Sequence, residues 1–260
     1  GKKKRLPTHI LVGERKTGTT ALSFFLQHHP QVKAPRREVH FFDLRRNLQK
    51  GLLWYVDQMQ PTTKAEVTFE KSPSYFRNKF AALRMRAVLP DVKILLSVRD
   101  PIKRAISDFH FSKKAEWPCG FDRDKFETFE EFVMDTTNGS VDLDFRPLKH
   151  SFYSENLRHW LKYFNRSQIH VIDGDRMVKE NPAKELRKIE AFMDLQPYFT
   201  NGMFFYKENR GYWCLRDPGC IRFGGQPHPK VKDKVVHALR NVFSSYNEEF
   251  YRLANQTFDW

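Results

Sequence analysis

The chain has 260 residues, 40% of them hydrophobic and 29% charged, which suits one large domain, and its 24 phenylalanines predict an aromatic-rich core. A formal net charge of +14 points to a polyanionic partner: nucleic acid, an anionic membrane or a sulfated polysaccharide. The sequence has no zinc-finger spacing, RNP motif or long basic helix, which argues against nucleic acid; no apolar run reaches transmembrane length, and the opening GKKKRLP lacks the apolar centre of a signal peptide.

Residues 1–6 read as a stem remnant, with a nuclear signal as the alternative, and 7–260 as one domain. The first apolar run, HILVG (9–13), predicts a parallel strand. It leads into GERKTGTTAL (13–22), after which Leu22, Phe25 and Leu26 begin a helix face. Glycines let such a loop turn its backbone N–H groups toward an anion, and the helix start adds unpaired donors and the positive end of its dipole. Lys16 can neutralise a phosphate, and Thr19 and Thr20 offer hydroxyls. The Walker order GxxxxGK followed by Ser or Thr is absent, because the lysine precedes the second glycine; this argues against an ordinary ATPase or GTPase. The bland alternative is a plain strand–helix turn.

In REVHFFD (37–43), period-two alternation puts Glu38 and His40 on one side and Val39 and Phe41 on the other. A carboxylate and an imidazole together suit acid–base work; a solvated edge is the alternative. AEVTFE (65–70) predicts the second strand, delivering Lys71 of FEKSPSYF to the same crevice. VKILLSV (92–98) predicts the third strand, followed by VRDPIKRAISDF (98–109). Pro101 suits the first turn of a helix. Arg99 and Ser107 make a natural clamp for a second phosphate, unless Arg99 merely pairs with Asp100 or Asp108. FETFEEFV (126–133) predicts a helix within an irregular stretch from 117 to 149. Apolar stripes predict helices over 151–164, 183–193 and 230–254, and QIHVID (168–173) a fourth strand ending in a GDR loop.

The expected fold class is α/β: a single domain with a central parallel sheet flanked by helices, its ligands at the carboxyl ends of the strands. Cys214 and Cys220 flank a Pro-Gly turn in WCLRDPGC and suit a short-loop disulfide, leaving Cys119 free. That pair and the sequons at Asn138, Asn165 and Asn255 favour a secretory compartment.

Taken in order, KTGTTAL, EVHFFD, FEKSPSYF, VRDPIKRAISDF, HVIDGDR and RGYWCLRDPGC resemble the heparan sulfate sulfotransferases, and most closely the glucosaminyl 3-O-sulfotransferases, over essentially the whole chain. The resemblance implies a P-loop-like phosphosulfate-binding loop. It also implies sulfuryl transfer from 3'-phosphoadenosine-5'-phosphosulfate to the 3-hydroxyl of glucosamine in heparan sulfate, with no metal required. By position, Arg15, Lys16, Thr17, Gly18, Thr19 and Thr20 resemble the 5'-phosphosulfate loop, and Arg99 and Ser107 the 3'-phosphate pair. Tyr212 and Gly225 resemble further donor-binding residues. Glu38 resembles the general base, assisted by Lys16, His40 and Lys71. Asp43, Lys71, Arg36 and Arg210 resemble acceptor-binding residues, and Cys214 and Cys220 the family disulfide.

The acceptor would be captured by a basic rim of Lys33, Arg36, Arg37, Arg45, Arg46 and Lys149. A Golgi-luminal glycoprotein is implied, anchored as a type II membrane protein by an N-terminal segment absent from this sequence. Two stretches depart from the group. RKTGTTAL replaces the usual RKGGTRAL, placing Thr20 where an arginine is usual, and GGQPHP (224–229) replaces KGRxHP, so Gly224 and Gln226 lack its charges. An N-sulfotransferase, which shares KTGTTAL, a P-loop kinase and a non-catalytic heparan-binding relative are the rival readings.

Overall fold

The computed structural model describes residues 1–114, 128–135, 139–221 and 229–260. In chain order the strands are β1 (His9–Gly13), β2 (Val32–Lys33), β3 (Val67–Lys71), β4 (Lys93–Val98), β5 (Ile169–Asp173), β6 (Phe204–Lys207) and β7 (Tyr212–Leu215). The helices are α1 (Thr19–Gln27), α2 (Arg45–Leu48), α3 (Gly51–Asp57), α4 (Ala81–Val88), α5 (Pro101–Lys114), α6 (Phe129–Val133), α7 (Arg146–Lys149), α8 (Tyr153–Trp160), α9 (Gly174–Lys179), α10 (Ala183–Phe192) and α11 (Asp233–Ala254). Among the described residues, no helix is long and apolar enough to cross a membrane. The chain packs as two compact units, Gly1–Val98 with His159–Gly225, and Arg99–Arg158 with Gln226–Trp260.

The first unit holds the α/β architecture expected from the sequence: a five-stranded sheet in the order β2-β3-β1-β4-β5, every pairing parallel. β1 is wholly buried and β4 nearly so, as continuous apolar runs in a parallel sheet must be. Helix α1 buries Leu22, Phe25 and Leu26 at helical spacing against a core that includes Leu11, Phe69, Leu95, Ile172, Leu186 and Ile189. Each such side chain contributes about 1.5–3 kcal/mol on burial.

The second expected strand begins two residues late, at Val67. The GDR that follows β5 is not a loop but the first turn of α9, capped by Asp173, whose carboxylate accepts from the amides of Asp175 and Arg176 at 3.0 Å each. Several features had no sequence expectation, among them the helices α2, α3 and α4, the edge strand β2, only two residues long, and the antiparallel hairpin β6–β7. Within that hairpin's extension Cys214 is bonded to Cys220.

The second unit has its own core, in which Ile102, Phe109, Phe129, Phe145, Leu239 and Phe243 pack together. Pro101 opens α5 as expected, and Asp100 caps it, accepting from Ile102 N at 2.9 Å while pairing with Arg240 at 2.5 Å. The wholly buried Arg104 donates to Ser151 Oγ at 2.6 Å and pairs with Asp108 at 3.1 Å. The helix expected over 151–164 runs only over Tyr153–Trp160, and that expected over 230–254 begins at Asp233. Of FETFEEFV, Phe129–Val133 is helical, with Thr128 as its cap.

Candidate active site

The loop after β1 is braced before it meets any ligand. Glu14 N donates to Ser97 O on β4 at 2.7 Å. The Thr17 hydroxyl donates to Glu14 O at 2.7 Å and to Ser97 O at 3.0 Å, and the Ser97 hydroxyl returns a bond to Thr17 O at 2.9 Å. Gly174, at the start of α9, lies so close that a Cβ there would approach Thr17 O to 2.4 Å, so only glycine fits. Lys16 and Gly18 both take left-handed backbone angles, with φ 73° and 88°. For the lysine this is a conformation that costs about 1 kcal/mol or more and that surrounding contacts must hold.

Helix α1 then starts at Thr19 with no side-chain cap and no acidic residue in its first turn. Its first amides have no intrahelical acceptors, and the dipole end is positive. Uncapped amides, a left-handed turn and a lysine together form a fitting cradle for an anion. Thr17, expected to contact the donor, has its buried hydroxyl turned inward, so it shapes the loop instead. Glu14, for which the sequence raised no expectation, is fully buried beneath the loop. Its Oε1 accepts from Arg15 N at 2.8 Å and from the Arg77 guanidinium. Arg77 thereby neutralises a negative charge that would otherwise oppose anion binding.

The segment 37–43 is not the extended edge that its alternation predicts. It is irregular, and His40 is left-handed, with φ 50°. The turn nevertheless buries Val39 and Phe41 and brings the polar pair together. His40 Nε2 lies 3.1 Å from Glu38 Oε2, and His40 Nδ1 lies 3.0 Å from Asp43 Oδ2. Lys71, at the end of β3, donates to Glu38 Oε1, and Ser74 donates to Asp43 Oδ2.

A neutral imidazole has one N–H, so only the imidazolium donates to both carboxylates. Burial alone would lower the His40 value; the bonds to Asp43 and Glu38 outweigh it and raise the imidazole to about 9. Burial alone would raise the Glu38 carboxyl; the bond from His40 and the attraction of Lys71 hold it down at about 2. Asp43, expected to bind substrate, is instead tucked beneath His40 with its side chain 6% exposed, and burial is again outweighed, so that its carboxyl lies below the ordinary value. At neutral pH the row is therefore ammonium, carboxylate, imidazolium, carboxylate.

Glu38 stands at the wall of a cleft of about 750 Å³ whose lining includes Thr20, Ser23, Arg36, Lys71 and Cys220. The disulfide thus anchors part of the cleft wall. A second cleft of about 580 Å³ shares residues 35–38 and continues past Trp54 and Gln60. Arg37 lines both clefts, while Arg45 and Arg46 are exposed on α2. Lys33, also placed in the basic rim, pairs with Glu66 at 3.5 Å.

Thus Glu38, His40, Asp43, Lys71, Arg36 and Thr20 come together, with Thr20 directly following the Arg15–Thr19 loop in the chain. Tyr212 begins β7 and Arg210 is exposed at the hairpin turn; neither lines the two clefts. Arg99, Ser107 and Lys149 belong to the second unit. There Arg99 O accepts from Tyr153 at 3.0 Å, Ser107 is buried on α5, and Lys149 pairs with Asp144 at 2.5 Å. Asn165 and Asn255 are exposed. Gly225, Gly224, Gln226, Asn138 and Cys119 lie outside the described residues. Sequence reasoning passed over Glu14, Arg77 and the hydroxyls of Ser72 and Ser74. The alternation of Glu70, Ser72 and Ser74 along FEKSPSYF was the available signal for the last two.

A family model for the sulfotransferase domain matches residues 6–204. Heparan sulfate glucosamine 3-O-sulfotransferase 3B1 of Homo sapiens is 35% identical over 99% of this chain, which covers 65% of that protein. Heparan sulfate glucosamine 3-O-sulfotransferase 5 of Homo sapiens is likewise 35% identical over 99% of the chain, which covers 75% of it. The chain spans just under two thirds of the length of the first curated relatives it matches. The crystal structure of a sulfotransferase from Alicyclobacillus acidocaldarius shares the fold, with a TM-score of 0.71 over 98% of each chain at 19% identity. With the family pattern spanning most of its length, and relatives at this identity spanning nearly all of it, the chain belongs to the sulfotransferase family, among the heparan sulfate glucosamine 3-O-sulfotransferases.

Proposed function

We propose that this chain transfers a sulfuryl group from 3'-phosphoadenosine-5'-phosphosulfate to the 3-hydroxyl of a glucosamine residue in heparan sulfate, with Glu38 as general base. The observation that carries the reading is Glu38 itself: a charged carboxylate held between Lys71 and His40, on the wall of a cleft that also exposes Thr20 from the uncapped start of α1. The donor, when bound, supplies an activated sulfuryl group on a phosphate leaving group. The Lys16 loop and the α1 amides would hold its 5' end, with Arg99 and Ser107, in the second unit, kept only as what the family resemblance implies for the 3'-phosphate.

In the free protein Glu38 is a weak base, because two cations share its carboxylate. An acceptor hydroxyl that takes the place of Lys71 at Oε1 leaves Glu38 with His40 alone, so the carboxylate becomes more basic where the proton must go. The displaced ammonium is then available to anionic oxygens at the same point. His40, fixed from behind by Asp43, keeps the carboxylate aimed. The net positive charge and the exposed Arg36, Arg37, Arg45 and Arg46 favour a sulfated, carboxylated chain as acceptor. The exposed sequons at Asn165 and Asn255 and the Cys214–Cys220 bond support a luminal site of action, in keeping with the Golgi.

The test is product mapping by mass spectrometry on defined heparan oligosaccharides with the phosphosulfate donor. Sulfate on the 3-hydroxyl is expected. Sulfate on the glucosamine nitrogen would favour the N-sulfotransferase reading, and glycan binding without donor consumption would make the chain a non-catalytic relative.

A further inference from the structure

Beneath the Glu38–His40–Asp43 row lies a second, buried layer of polar groups that the proposed chemistry does not use. Glu70 on β3 is fully buried. Its Oε1 accepts from the Ser72 hydroxyl at 2.5 Å and its Oε2 from the Tyr55 hydroxyl of α3 at 3.2 Å. The Ser72 oxygen in turn accepts the backbone N–H of His40 at 2.9 Å, and the Tyr75 hydroxyl accepts the N–H of Phe41 at 2.8 Å. These two amides flank the left-handed residue of the turn. A left-handed histidine is unfavourable by itself and persists only where its neighbours hold it.

A hydroxyl that must accept a backbone N–H at a fixed angle needs a place to send its own proton. A carboxylate, which only accepts, defines that direction. We infer that Glu70 is a positioning residue for the reaction proposed above: as the shared acceptor for Ser72 and Tyr55, it turns the Ser72 lone pair toward His40 N–H and so locks the turn that sets the imidazole between Glu38 and Asp43. The inference rests on that proposed reading for its kinetic consequence, though not for its geometry.

The chemistry of the site makes this lock sensitive to protons. Burial raises the Glu70 carboxyl to about 7, against the opposing bonds from Ser72 and Tyr55; His40 and Asp43 are the charged groups facing it from the neighbouring segment, and the neutral Tyr55 and Tyr75 complete its surroundings. A protonated Glu70 must itself donate, so it cannot keep both hydroxyls as donors. Glu38, held at about 2, gives no titration near neutrality.

The experiment compares Glu70→Gln, Ser72→Ala and Ser72→Thr in the whole chain. Turnover is measured with the phosphosulfate donor and a defined heparan oligosaccharide. The His40 imidazole is followed by NMR titration of the free protein and assigned with His40→Asn. Misplacing a catalytic group slightly costs up to roughly 100-fold, so Glu70→Gln and Ser72→Ala are each expected to lower kcat roughly 10- to 100-fold with the donor KM within about twofold. Ser72→Thr restores most of the loss. The double variant Glu70→Gln with Ser72→Ala is no worse than the weaker single variant, because both break one chain. Wild-type kcat falls as pH drops through about 7, and this limb is missing in Glu70→Gln.

In Ser72→Ala, which changes no charge, the His40 midpoint moves from about 9 toward the ordinary 6.5. Wild-type kcat in both single variants, multiplying losses in the double, or an unmoved His40 midpoint in Ser72→Ala would overturn the inference. If Glu70→Gln does not fold, the Ser72 pair decides it alone. A wild-type chain that transfers no sulfuryl group would overturn the proposed function instead, and the His40 midpoint would still decide the role of this layer.

Discussion

The loop after β1 and the turn at 37–43 each hold a non-glycine residue in the left-handed region, Lys16 at φ 73° and His40 at φ 50°, and each is held by buried hydroxyls. They use that strain differently. The loop is braced mainly by bonds to backbone carbonyls, and its positive field comes from helix amides to which side chains add. The turn is braced by side chains, and its electrostatics are entirely side-chain: Lys71, Glu38, His40 and Asp43 in a row. A field built from backbone survives the loss of one side chain in weakened form, whereas a row of paired charges fails when one member is removed.

The largest expected effect follows from removing the centre of the row. Glu38→Gln keeps the size of the side chain and removes its charge and basicity. Turnover should fall roughly 10²- to 10⁴-fold, the usual loss with a general base. Nucleotide affinity, measured by calorimetry, should stay near wild type, because the anion cradle is separate. Near-normal turnover would dissolve the contrast between the two regions.

Lys16→Ala tests the other side. The α1 amides and the turn remain, so the anion should still bind, less tightly. Loss of one charge-assisted hydrogen bond is worth about 1.5–3 kcal/mol, or roughly 10- to 100-fold in the affinity for the donor nucleotide. Complete loss of binding would mean that the lysine, not the backbone, makes the site.

The row also carries a pH signature. The folded value of His40 is raised to about 9 from 6.5, so the stability it contributes is complete below about 6.5 and is lost as pH rises through about 9. Above that value the imidazole has one N–H for two carboxylates, and Glu38 loses its anchor. Glu38 behaves oppositely: its folded value is depressed, so its contribution is present above 4.5 and lost as pH falls through about 2. Activity should therefore fall above about pH 9, and nucleotide affinity should not follow it over the same step. A parallel fall in both would assign the titration to the loop or to the fold.

These contrasts explain what could be read in advance. The buried strands β1 and β4 and the helix α1 are written in local apolar pattern, and so the sheet was legible. The loop was legible as an anion site because its glycines, lysine and threonines are contiguous. Glu38 and His40 were paired correctly but on the wrong backbone: alternation predicted an extended edge, whereas a left-handed His40 does the pairing. Nothing local announces that turn, because its support comes from Ser72 and Tyr75, which lie on a distant segment of the chain. The edge strand β2 is too short to show a period, and it exists because β3 offers it a partner. Glu14 was invisible for a similar reason: a glutamate in an anion loop makes sense only with Arg77 beside it.

The smallest effect separates two threonines of the same loop, three residues apart. Both resemble residues of the family's phosphosulfate loop, yet the Thr17 side chain is buried in the loop's bracing while Thr20 is exposed on the cleft. Thr17→Val removes the hydroxyl while nearly conserving shape. The carbonyls it served keep other donors, since Ser97 O still accepts from Glu14 N and Glu14 O from Thr17 N. The cost should therefore stay near that of one ordinary hydrogen bond, about 1 kcal/mol in denaturant unfolding. A looser loop should weaken donor binding slightly with it. Thr20→Val touches no internal bond of the described protein and should change stability by less than about 0.5 kcal/mol. Any change it makes should appear in kinetics with donor or acceptor. If unfolding midpoints show Thr20→Val to be the more destabilised, then Thr20 is the brace and the division between a backbone-held loop and an exposed cleft wall is misplaced.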